Sequence, residues 1–487
     1  MRWPGRSEER LHVPARHRPF GLLLASVAFG ACLCGREING FGDGGADGGV
    51  AVRLDSGSSL ADGGTGPDGG LGNDGGVDDA DAGLFCFDGG PIALVPIWSA
   101  EVQGMFDPFG GEVVADFNGD GRLDLGLSLA GAMNLALGDG RGGFSFGPAS
   151  AIELPPEAGF DTLLVGDFDG DGHLDIGSCW EGQGSVSAQI FLGDGHGAFD
   201  AGAAVVLGTG YGFEGHLCAY LVARDLNRDG RLDLAVLRDN PALMPDTLAE
   251  TVDGGCFVDL VFGDGRGNLV SPIELTFSNT NSPSGMAIED FDGDGQLDVV
   301  VGGLTSLVDD AGEFLLGERR GLSDGGFSAE GSIGTPVNAW GWGVGVLEGD
   351  GGLPDLVLSN GPFAVALAQS DGGFVTGLVP TLADWSSLGL ALYDVNGDGI
   401  LDLVAQTLDT AEISGYTVLA LGEGDGGFGV PFSLACRPEI FAGVAPVVAP
   451  FLDDGGIAIV FPSAIVDAGV FITTINSARV ERCPLSP

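Results

Sequence analysis

Short apolar runs separated by turns rich in Asp and Gly recur along most of this chain. Runs of β-branched or alternating apolar residues are typical of strands. Such runs are DLGLSL (124 to 129), DLAVL (233 to 237), DVVVGG (298 to 303) and DLVAQ (402 to 406). A second kind of run ends in Gly, followed by an Asp/Gly-rich turn and usually Phe, as in LALGDGRGGF (135 to 144) and IFLGDGHGAF (190 to 199). The pattern predicts an all-β protein of short strands and tight turns.

The same nine-residue sequence occurs five times in the chain. In four of the copies, its last residue is the first residue of one of these strand segments. It reads Asp, any residue, Asp or Asn, any residue, Asp, Gly, two residues, Asp. Its five copies begin at Asp116, Asp167, Asp225, Asp290 and Asp394. Position 6 is Gly in every copy, as expected where a chain must turn sharply around an ion, because Gly tolerates a positive φ.

The side chains at positions 1, 3, 5 and 9 are hard oxygen donors, which suit calcium rather than zinc or copper. Position 7 varies freely, which is what a ligand donated by the backbone carbonyl predicts. We therefore predict about five calcium sites. Their ligands would be Asp116, Asn118, Asp120, Arg122 and Asp124; Asp167, Asp169, Asp171, His173 and Asp175; Asp225, Asn227, Asp229, Arg231 and Asp233; Asp290, Asp292, Asp294, Gln296 and Asp298; and Asp394, Asn396, Asp398, Ile400 and Asp402.

Two other interpretations of these loops fit the sequence less well. An EF-hand loop has twelve residues, closes with Glu and lies between helices, whereas these loops close with Asp and are flanked by strands. Solvated Asp-Gly turns without an ion would explain one copy. Five copies at similar spacing favour a metal, because tight clusters of carboxylates repel one another unless they are compensated.

The loop and the downstream turn form a module that recurs seven times. Five modules are intact. Residues 344 to 358 keep the strands, but their acidic residues are out of register, and residues 449 to 461 lack the closing Asp. Roughly 57 residues per module is enough for four strands with their turns, which is one blade of a propeller.

The five loops and the LGDGxGxF turns resemble the FG-GAP and VCBS repeat family, calcium-loop β-propellers whose relatives include the head of the integrin α-subunit. The resemblance covers residues 91 to 487. It implies that each loop lies between the first two strands of a blade, so that all five share one face of a seven-bladed disk. Departures at 348 to 355 and 453 to 457 leave the number of ions open. The strand near Ile97–Val102 is a candidate for completing the last blade.

The charge of the chain restricts its partners. With 69 acidic and 19 basic residues, the net charge is −50. Nucleic acids and anionic lipid surfaces both require basic surface, so we expect neither as a partner. An acidic, calcium-binding protein suits surroundings outside the cytosol.

The N-terminal region predicts export. A basic segment precedes the apolar run Phe20 to Phe29, which is too short to span a bilayer. Gly30 and Ala31 before Cys32 resemble a bacterial lipobox, with Phe29 where Leu is usual. We expect residues 1–31 to be a signal peptide, with a lipid anchor at Cys32 favoured over free secretion, and the protein to lie at the outer surface or in the periplasm. Residues 32–90, rich in Gly and Asp, are expected to be a disordered linker.

If Cys32 carries lipid, Cys34 is spare and six cysteines remain, namely Cys86, Cys179, Cys218, Cys256, Cys436 and Cys483. Disulfides are plausible in an oxidising compartment. Cys218 with Cys256, and Cys436 with Cys483, would each fall within one module. Six cysteines allow fifteen pairings, so the sequence leaves the pairing open.

Two classes of function remain. The first is a surface binding, adhesion or scaffold module for a protein or glycan, in which calcium is mainly structural. Trp340 and Trp342 are candidate contact residues, although packing between blades is the simpler interpretation. The second is a carbohydrate-active or esterase-type hydrolase or lyase. The chain has no GxSxG, HExxH or GxxxxGK[ST] motif. We expect His173 and His196 to be solvated and His216 to face a blade interior, and a lone His is more often structural than catalytic. We therefore expect a seven-bladed β-propeller (residues 91–487) that acts as a binding module rather than an enzyme.

Overall fold

The computed structural model places nearly all of its secondary structure in antiparallel β-sheets. The exception among the described residues is a 3-10 helix, Pro380–Leu382. No described helix has the length and hydropathy needed to cross a bilayer. The described residues are 53–54, 92–102, 112–129, 132–153, 159–182, 185–209, 218–239, 255–270, 272–278, 281–304, 314–335, 341–348, 352–359, 363–382, 387–409, 414–433, 446–467 and 470–482.

Several predictions fall outside these residues. They are the signal peptide, the lipid anchor at Cys32, the pairing of Cys436 with Cys483, the roles of Cys34 and Cys86, and the surroundings of His216 and Trp340. Of the predicted linker, the structure describes only strand β1 (Arg53–Leu54), which pairs with strand β2 (Ile92–Val102).

Six sheets, called blades 1 to 6, are each built from consecutive strands. Blade 1 contains β3 (Glu112–Ala115), β4 (Asp124–Leu129), β5 (Ala132–Gly138) and β6 (Phe144–Glu153). Blade 2 contains β7 (Gly159–Gly166), β8 (Asp175–Gly182), β9 (Ser185–Gly193), and both β10 (Phe199–Ala201) and β11 (Val205–Thr209), which pair with β9. Blade 3 contains β12 (Cys218–Arg224), β13 (Asp233–Asp239), β14 (Cys256–Val261) and β15 (Ile273–Phe277).

The next three blades repeat the same order of strands. Blade 4 contains β16 (Asn281–Glu289), β17 (Asp298–Leu304), β18 (Phe314–Arg319) and β19 (Gly331–Gly334). Blade 5 contains β20 (Gly341–Gly345), β21 (Asp355–Ser359), β22 (Ala364–Ala368) and β23 (Phe374–Leu378). Blade 6 contains β24 (Ser387–Tyr393), β25 (Asp402–Asp409), β26 (Ser414–Ala420) and β27 (Phe432–Ser433).

The last sheet is composite and joins both ends of the described chain. It contains β28 (Val447–Ala449), β29 (Ala458–Asp467) and β30 (Val470–Arg482), with β2 paired to β30 from Ile92↔Arg482 to Val102↔Thr473. The expectation of a seven-bladed propeller therefore needs correction. Six blades are continuous, whereas the seventh module supplies only three strands and takes the next from the N-terminal side. The strand near Ile97–Val102 does complete this sheet, as expected.

The sheets follow one another around a closed ring, which is the arrangement of a β-propeller. The first strand of each blade contacts the first strand of the next, and β28 contacts both β24 and β3. The hydrophobic core lies between neighbouring sheets. For example, Ile190 of blade 2 packs in one cluster with Leu234 of blade 3, and Phe144 of blade 1 meets Phe451 beside the composite sheet at 5.3 Å between ring centroids.

Candidate functional site: the acidic loops

The five predicted metal loops connect the first and second strands of blades 1, 2, 3, 4 and 6. We call them loops 1 to 5; they span residues 116–124, 167–175, 225–233, 290–298 and 394–402. This confirms the expected position of the loops within a blade. Since the strand order is the same in each blade, the loops lie on one face of the ring. In keeping with this, loop 3 touches loop 4, where Arg228 donates to the Gly295 carbonyl.

Within each loop the side-chain oxygens accept hydrogen bonds from the loop's own backbone. In loop 2 the N–H of Gly172 donates to Asp167 Oδ2 (3.1 Å), and that of Asp171 donates to Asp169 Oδ1 (3.0 Å). The N–H of His173 donates to Asp171 Oδ1 (2.8 Å). The same three bonds recur in loops 1, 3 and 4, and the first and third recur in loop 5. These bonds direct the side chains at positions 1, 3 and 5 towards the inside of the turn.

Two positions of the loop require a left-handed backbone. The Gly at position 6 has φ between 82° and 88° in all five loops, as the sequence predicted. Position 4 is also left-handed, with Gly in four loops, and this requirement was missed. In loop 3, position 4 is Arg228 at φ 63°, the one non-Gly residue with positive φ among the residues that the structure describes. An L-residue adopts this conformation at a cost in free energy, and such strained residues tend to cluster at sites that contact a ligand.

In loops 2 and 4 the carboxylates come together closely enough to share a cation. Oxygens of Asp167, Asp169 and Asp175 lie within 4.8 Å of one another, as do those of Asp290, Asp292 and Asp294. Calcium binds oxygen at about 2.3–2.6 Å, so two oxygens on one ion are at most about 5 Å apart. The spacing in both loops therefore fits a calcium-sized ion.

The closing Asp at position 9 has a structural role that the sequence did not reveal. Asp124 is fully buried; its Oδ2 accepts the N–H of Phe117 (3.1 Å), and its Oδ1 accepts the N–H of Gly138 at the end of the third strand (2.9 Å). The closing Asp thus ties its own loop to the neighbouring turn. Asp175, Asp233, Asp298 and Asp402 make the same pair of bonds. Each oxygen keeps a lone pair, so the ligand role at position 9 stays a prediction.

Burial makes these closing carboxylates harder to ionise. It raises the pKa of Asp124, Asp298 and Asp402 to about 6, although the two backbone N–H donors act in the opposite direction. Neighbouring carboxylates of the same loop add to the rise. Burial likewise raises the pKa of Asp175 and Asp233. A bound cation would favour the ionised form and so compensate for this burial.

The backbone just before the closing Asp also explains the Gly at the end of the third strand. A Cβ added to Gly138 would lie 2.1 Å from the Leu123 carbonyl oxygen, and one added to Gly193 would lie 2.1 Å from that of Leu174. The carbonyl at position 8 passes so close to this strand that no side chain fits. The recurring LG at the end of these strands therefore reports a close approach of two backbone segments.

The two degenerate modules replace the metal loop with contacts to the next blade. In blade 5, Asp355 keeps the structural bonds, accepting from Leu347 (3.0 Å) and Ala368 (2.9 Å), while Glu348 forms a β-bridge with Asp425 of blade 6. In the last module, the Asp453 carboxylate pairs with Arg122 of loop 1 at 3.0 Å.

The Asp454 carboxylate in turn pairs with Arg479 at 2.9 Å. The acidic side chains of this last module are thus held by guanidinium groups, and Arg122 links loop 1 to the seam between the first and last sheets.

The structure also shows where three further groups of side chains lie: the cysteines, Trp342 and the histidines. Cys218 forms a disulfide with Cys179, not with Cys256, because the second strand of blade 2 faces the first strand of blade 3 across the blade interface. Of the pairings that the sequence left open, Cys218 with Cys256 is therefore not the one formed. Trp342 is 7% exposed and packs on Gly285 and Gly302, which confirms packing between blades rather than a contact surface. His173 and His196 are exposed, as expected.

Comparison with known proteins agrees with this architecture. Residues 107–178 match the family model of the FG-GAP-like repeat. That stretch contains blade 1, loop 1 and loop 2, so the predicted FG-GAP repeat is confirmed there, and the propeller arrangement is consistent with it. No curated protein matches the chain.

Solved structures show more distant similarity. A lectin from Agrocybe aegerita, described for its specific recognition of non-reducing terminal N-acetylglucosamine, is 18% identical, with a TM-score of 0.43 over 67% of this chain and 80% of that chain. BBS1N, solved in complex with ARL6DN and soaked with mercury, is 10% identical, with a TM-score of 0.48 over 80% of this chain and 98% of that chain. Both TM-scores are below 0.5, so neither bears on what this chain binds.

Proposed function

We propose that this protein is a calcium-binding propeller with one ion in each of loops 1 to 5. The observation that carries the proposal is the convergence of three carboxylate oxygens within 4.8 Å in loops 2 and 4. The other three loops have the same backbone hydrogen bonds, with Asn in place of Asp at position 3. An all-oxygen donor set of this kind suits calcium.

The ligands would be the side chains at positions 1, 3, 5 and 9 and the carbonyl at position 7. In loop 2 these are Asp167, Asp169, Asp171 and Asp175, with the carbonyl of His173. The ion would neutralise carboxylates that otherwise repel one another and would favour the ionised form of the buried closing Asp. Because the unfolded chain does not assemble this donor set, calcium would stabilise the folded protein.

The composite sheet joins both ends of the described chain through the pairing between β2 and β30. Such closure holds the two ends of the propeller together through backbone hydrogen bonds. The linker that precedes β2 would separate the propeller from a lipid anchor at Cys32, placing it outside the cytosol. The basic and apolar N-terminal segments support this location.

The biological role that we propose is that of a surface binding or scaffold module. Calcium is structural in this role, and the partner is a protein or a glycan. A ring of independent blades presents many loops on one rigid scaffold, which is the usual location for binding residues. The strongly acidic composition excludes partners that need basic surface.

Thermal unfolding of the full chain with calcium or with a chelator tests the calcium proposal. We expect a higher melting temperature in calcium. Asp171→Asn, which alters one exposed loop carboxylate, should lower the melting temperature in calcium only. Equal melting temperatures in calcium and chelator would contradict the proposal. A glycan array and a pull-down in calcium then test the binding role.

A further inference from the structure

Loops 2 and 4 form a matched pair within one chain. Their sequences, DFDGDGHLD and DFDGDGQLD, differ only at position 7, where His173 or Gln296 would supply a backbone carbonyl. Both carry four carboxylates, and both bring three of them within 4.8 Å. If both bind calcium as proposed above, a difference in their affinity must come from residues outside the loops.

The surroundings of loop 4 contain charged residues where the other blades have apolar ones. Glu318, in the third strand of blade 4, and Arg320, directly after that strand, lie three residues and one residue before Gly321. The corresponding residues of blade 2 are Ile190, which is buried, and Leu192. The first of these positions is also aliphatic and buried in blades 1, 3, 5 and 6, where it is Leu135, Leu260, Val365 and Leu419.

Arg320 brings a positive charge to the metal ligands of loop 4. Its Nη1 lies 4.0 Å from Asp292 Oδ2, and its Nε lies 3.2 Å from Glu318 Oε1. Backbone carbonyls of the blade 5 turn hold the guanidinium in place, with Asp371 O at 3.0 Å. An ion bound to Asp292 would then lie roughly 6 Å from this guanidinium.

Arg228 brings a second positive charge from the neighbouring blade. It occupies the left-handed position 4 of loop 3 and donates to the carbonyl of Gly295. Gly295 directly precedes Gln296, the predicted carbonyl ligand of loop 4. Loop 2 differs in this respect, because no ion pair among the described residues joins an arginine to its carboxylates.

We propose that Arg228 and Arg320 lower the calcium affinity of loop 4 relative to loop 2, and that Glu318 limits the effect of Arg320. The reason is Coulomb repulsion between a divalent ion and fixed guanidinium groups, which Glu318 offsets in part. At roughly 6 Å and partial solvent exposure, Arg320 should weaken binding about tenfold, and the exposed Arg228 should weaken it by less. This proposal rests on the proposed calcium function. The propeller then fills loop 2 at low calcium and loop 4 only at higher calcium.

Calcium titration of the full chain by isothermal calorimetry tests the order of filling. Asp171→Asn and Asp294→Asn each remove one site, and the missing transition identifies the affinity of loop 2 and of loop 4. We expect loop 4 to be at least about tenfold weaker. Equal affinities would overturn the inference while leaving the calcium function intact, whereas absence of any binding would overturn the calcium function itself.

Substitutions that give blade 4 and loop 3 the residues of the other blades test how Arg228, Arg320 and Glu318 affect calcium binding at loop 4. Arg228→Gly restores the usual Gly at position 4 and should not impair folding. Arg320→Leu restores the apolar residue of blade 2 but removes the ion-pair partner of the buried Glu318, so its folding is checked by circular dichroism before the titration. Arg320→Leu should tighten the loop 4 transition about tenfold, and Arg228→Gly should tighten it by less; neither should move the transition of loop 2. Glu318→Gln should weaken calcium binding at loop 4. Arg266→Ala removes an exposed arginine of blade 3 and controls for net charge. A change in Arg266→Ala equal to that in Arg320→Leu would overturn the inference.

Discussion

Asp355→Asn isolates the structural role of the closing Asp, because blade 5 keeps this residue but lacks a metal loop. Asp355 is 2% exposed and accepts backbone N–H groups from Leu347 at 3.0 Å and Ala368 at 2.9 Å. Asn keeps one acceptor oxygen but turns an NH₂ group towards the other N–H. The variant therefore leaves one buried donor unsatisfied and replaces two charge-assisted bonds with one neutral bond.

The expected cost follows from these contacts. An unsatisfied buried donor costs about 1–3 kcal/mol, and loss of charge assistance adds about 1 kcal/mol. Against this, burial raises the pKa of Asp355, so the neutral amide avoids part of the cost of burying a charge. We expect a net loss of about 2 kcal/mol in the free energy of unfolding, equal in calcium and in chelator because no ion is involved.

Urea unfolding followed by tryptophan fluorescence measures this loss. Asp371→Asn is the matched control, since it makes the same chemical change at an exposed turn of the same blade. There, Asp371 Oδ1 accepts the N–H of Gly373 at 3.0 Å. It should cost less than about 0.5 kcal/mol. If Asp355→Asn unfolds at the same urea concentration as Asp371→Asn, the structural role of the closing Asp is refuted.

Three further predictions concern pH, the disulfide and a blade interface. In chelator, the free energy of unfolding should fall as pH rises from 4 to above 6. The buried closing aspartates of loops 1, 4 and 5 have folded pKa values of about 6, so they bind protons more tightly when the protein is folded. Replacing one of them by Asn should flatten this dependence on pH in urea titrations. Reducing the Cys179–Cys218 disulfide, which closes a separation of 39 residues, should cost about 4 kcal/mol in urea unfolding, and a Cys218→Ala variant should not respond to reductant. Gly302→Ala should lower the melting temperature, because its Cβ would lie 2.0 Å from the Trp342 ring, whereas Gly334→Ala in the same blade meets open space and should not.

Strand positions could be predicted because each closing Asp marks a strand boundary. The segments predicted at 124 to 129 and 402 to 406 correspond to β4 (Asp124–Leu129) and the start of β25 (Asp402–Asp409). The apolar alternation and the position of the turn are both local, so a single repeat contains the information. The Gly at position 6 was predictable for the same reason, since a tight turn requires positive φ.

Most contacts between distant segments could not be predicted, although the closing strand near Ile97–Val102 was expected. The pairing of Cys179 with Cys218 depends on which strands face one another across a blade interface, which no local pattern specifies. The second role of the closing Asp was also missed, because its hydrogen bond to Gly138 crosses to another strand. The recurring Gly at that strand end was the available signal, since an invariant Gly outside a turn indicates close approach of backbone.

Counting calcium ions is the most direct test of the account. Atomic emission of the full chain, equilibrated with calcium and separated from free ion, gives the number bound per chain. We predict five ions at saturation and four in Asp171→Asn. A protein that stays folded yet retains none, or a count that Asp171→Asn leaves unchanged, would contradict the account.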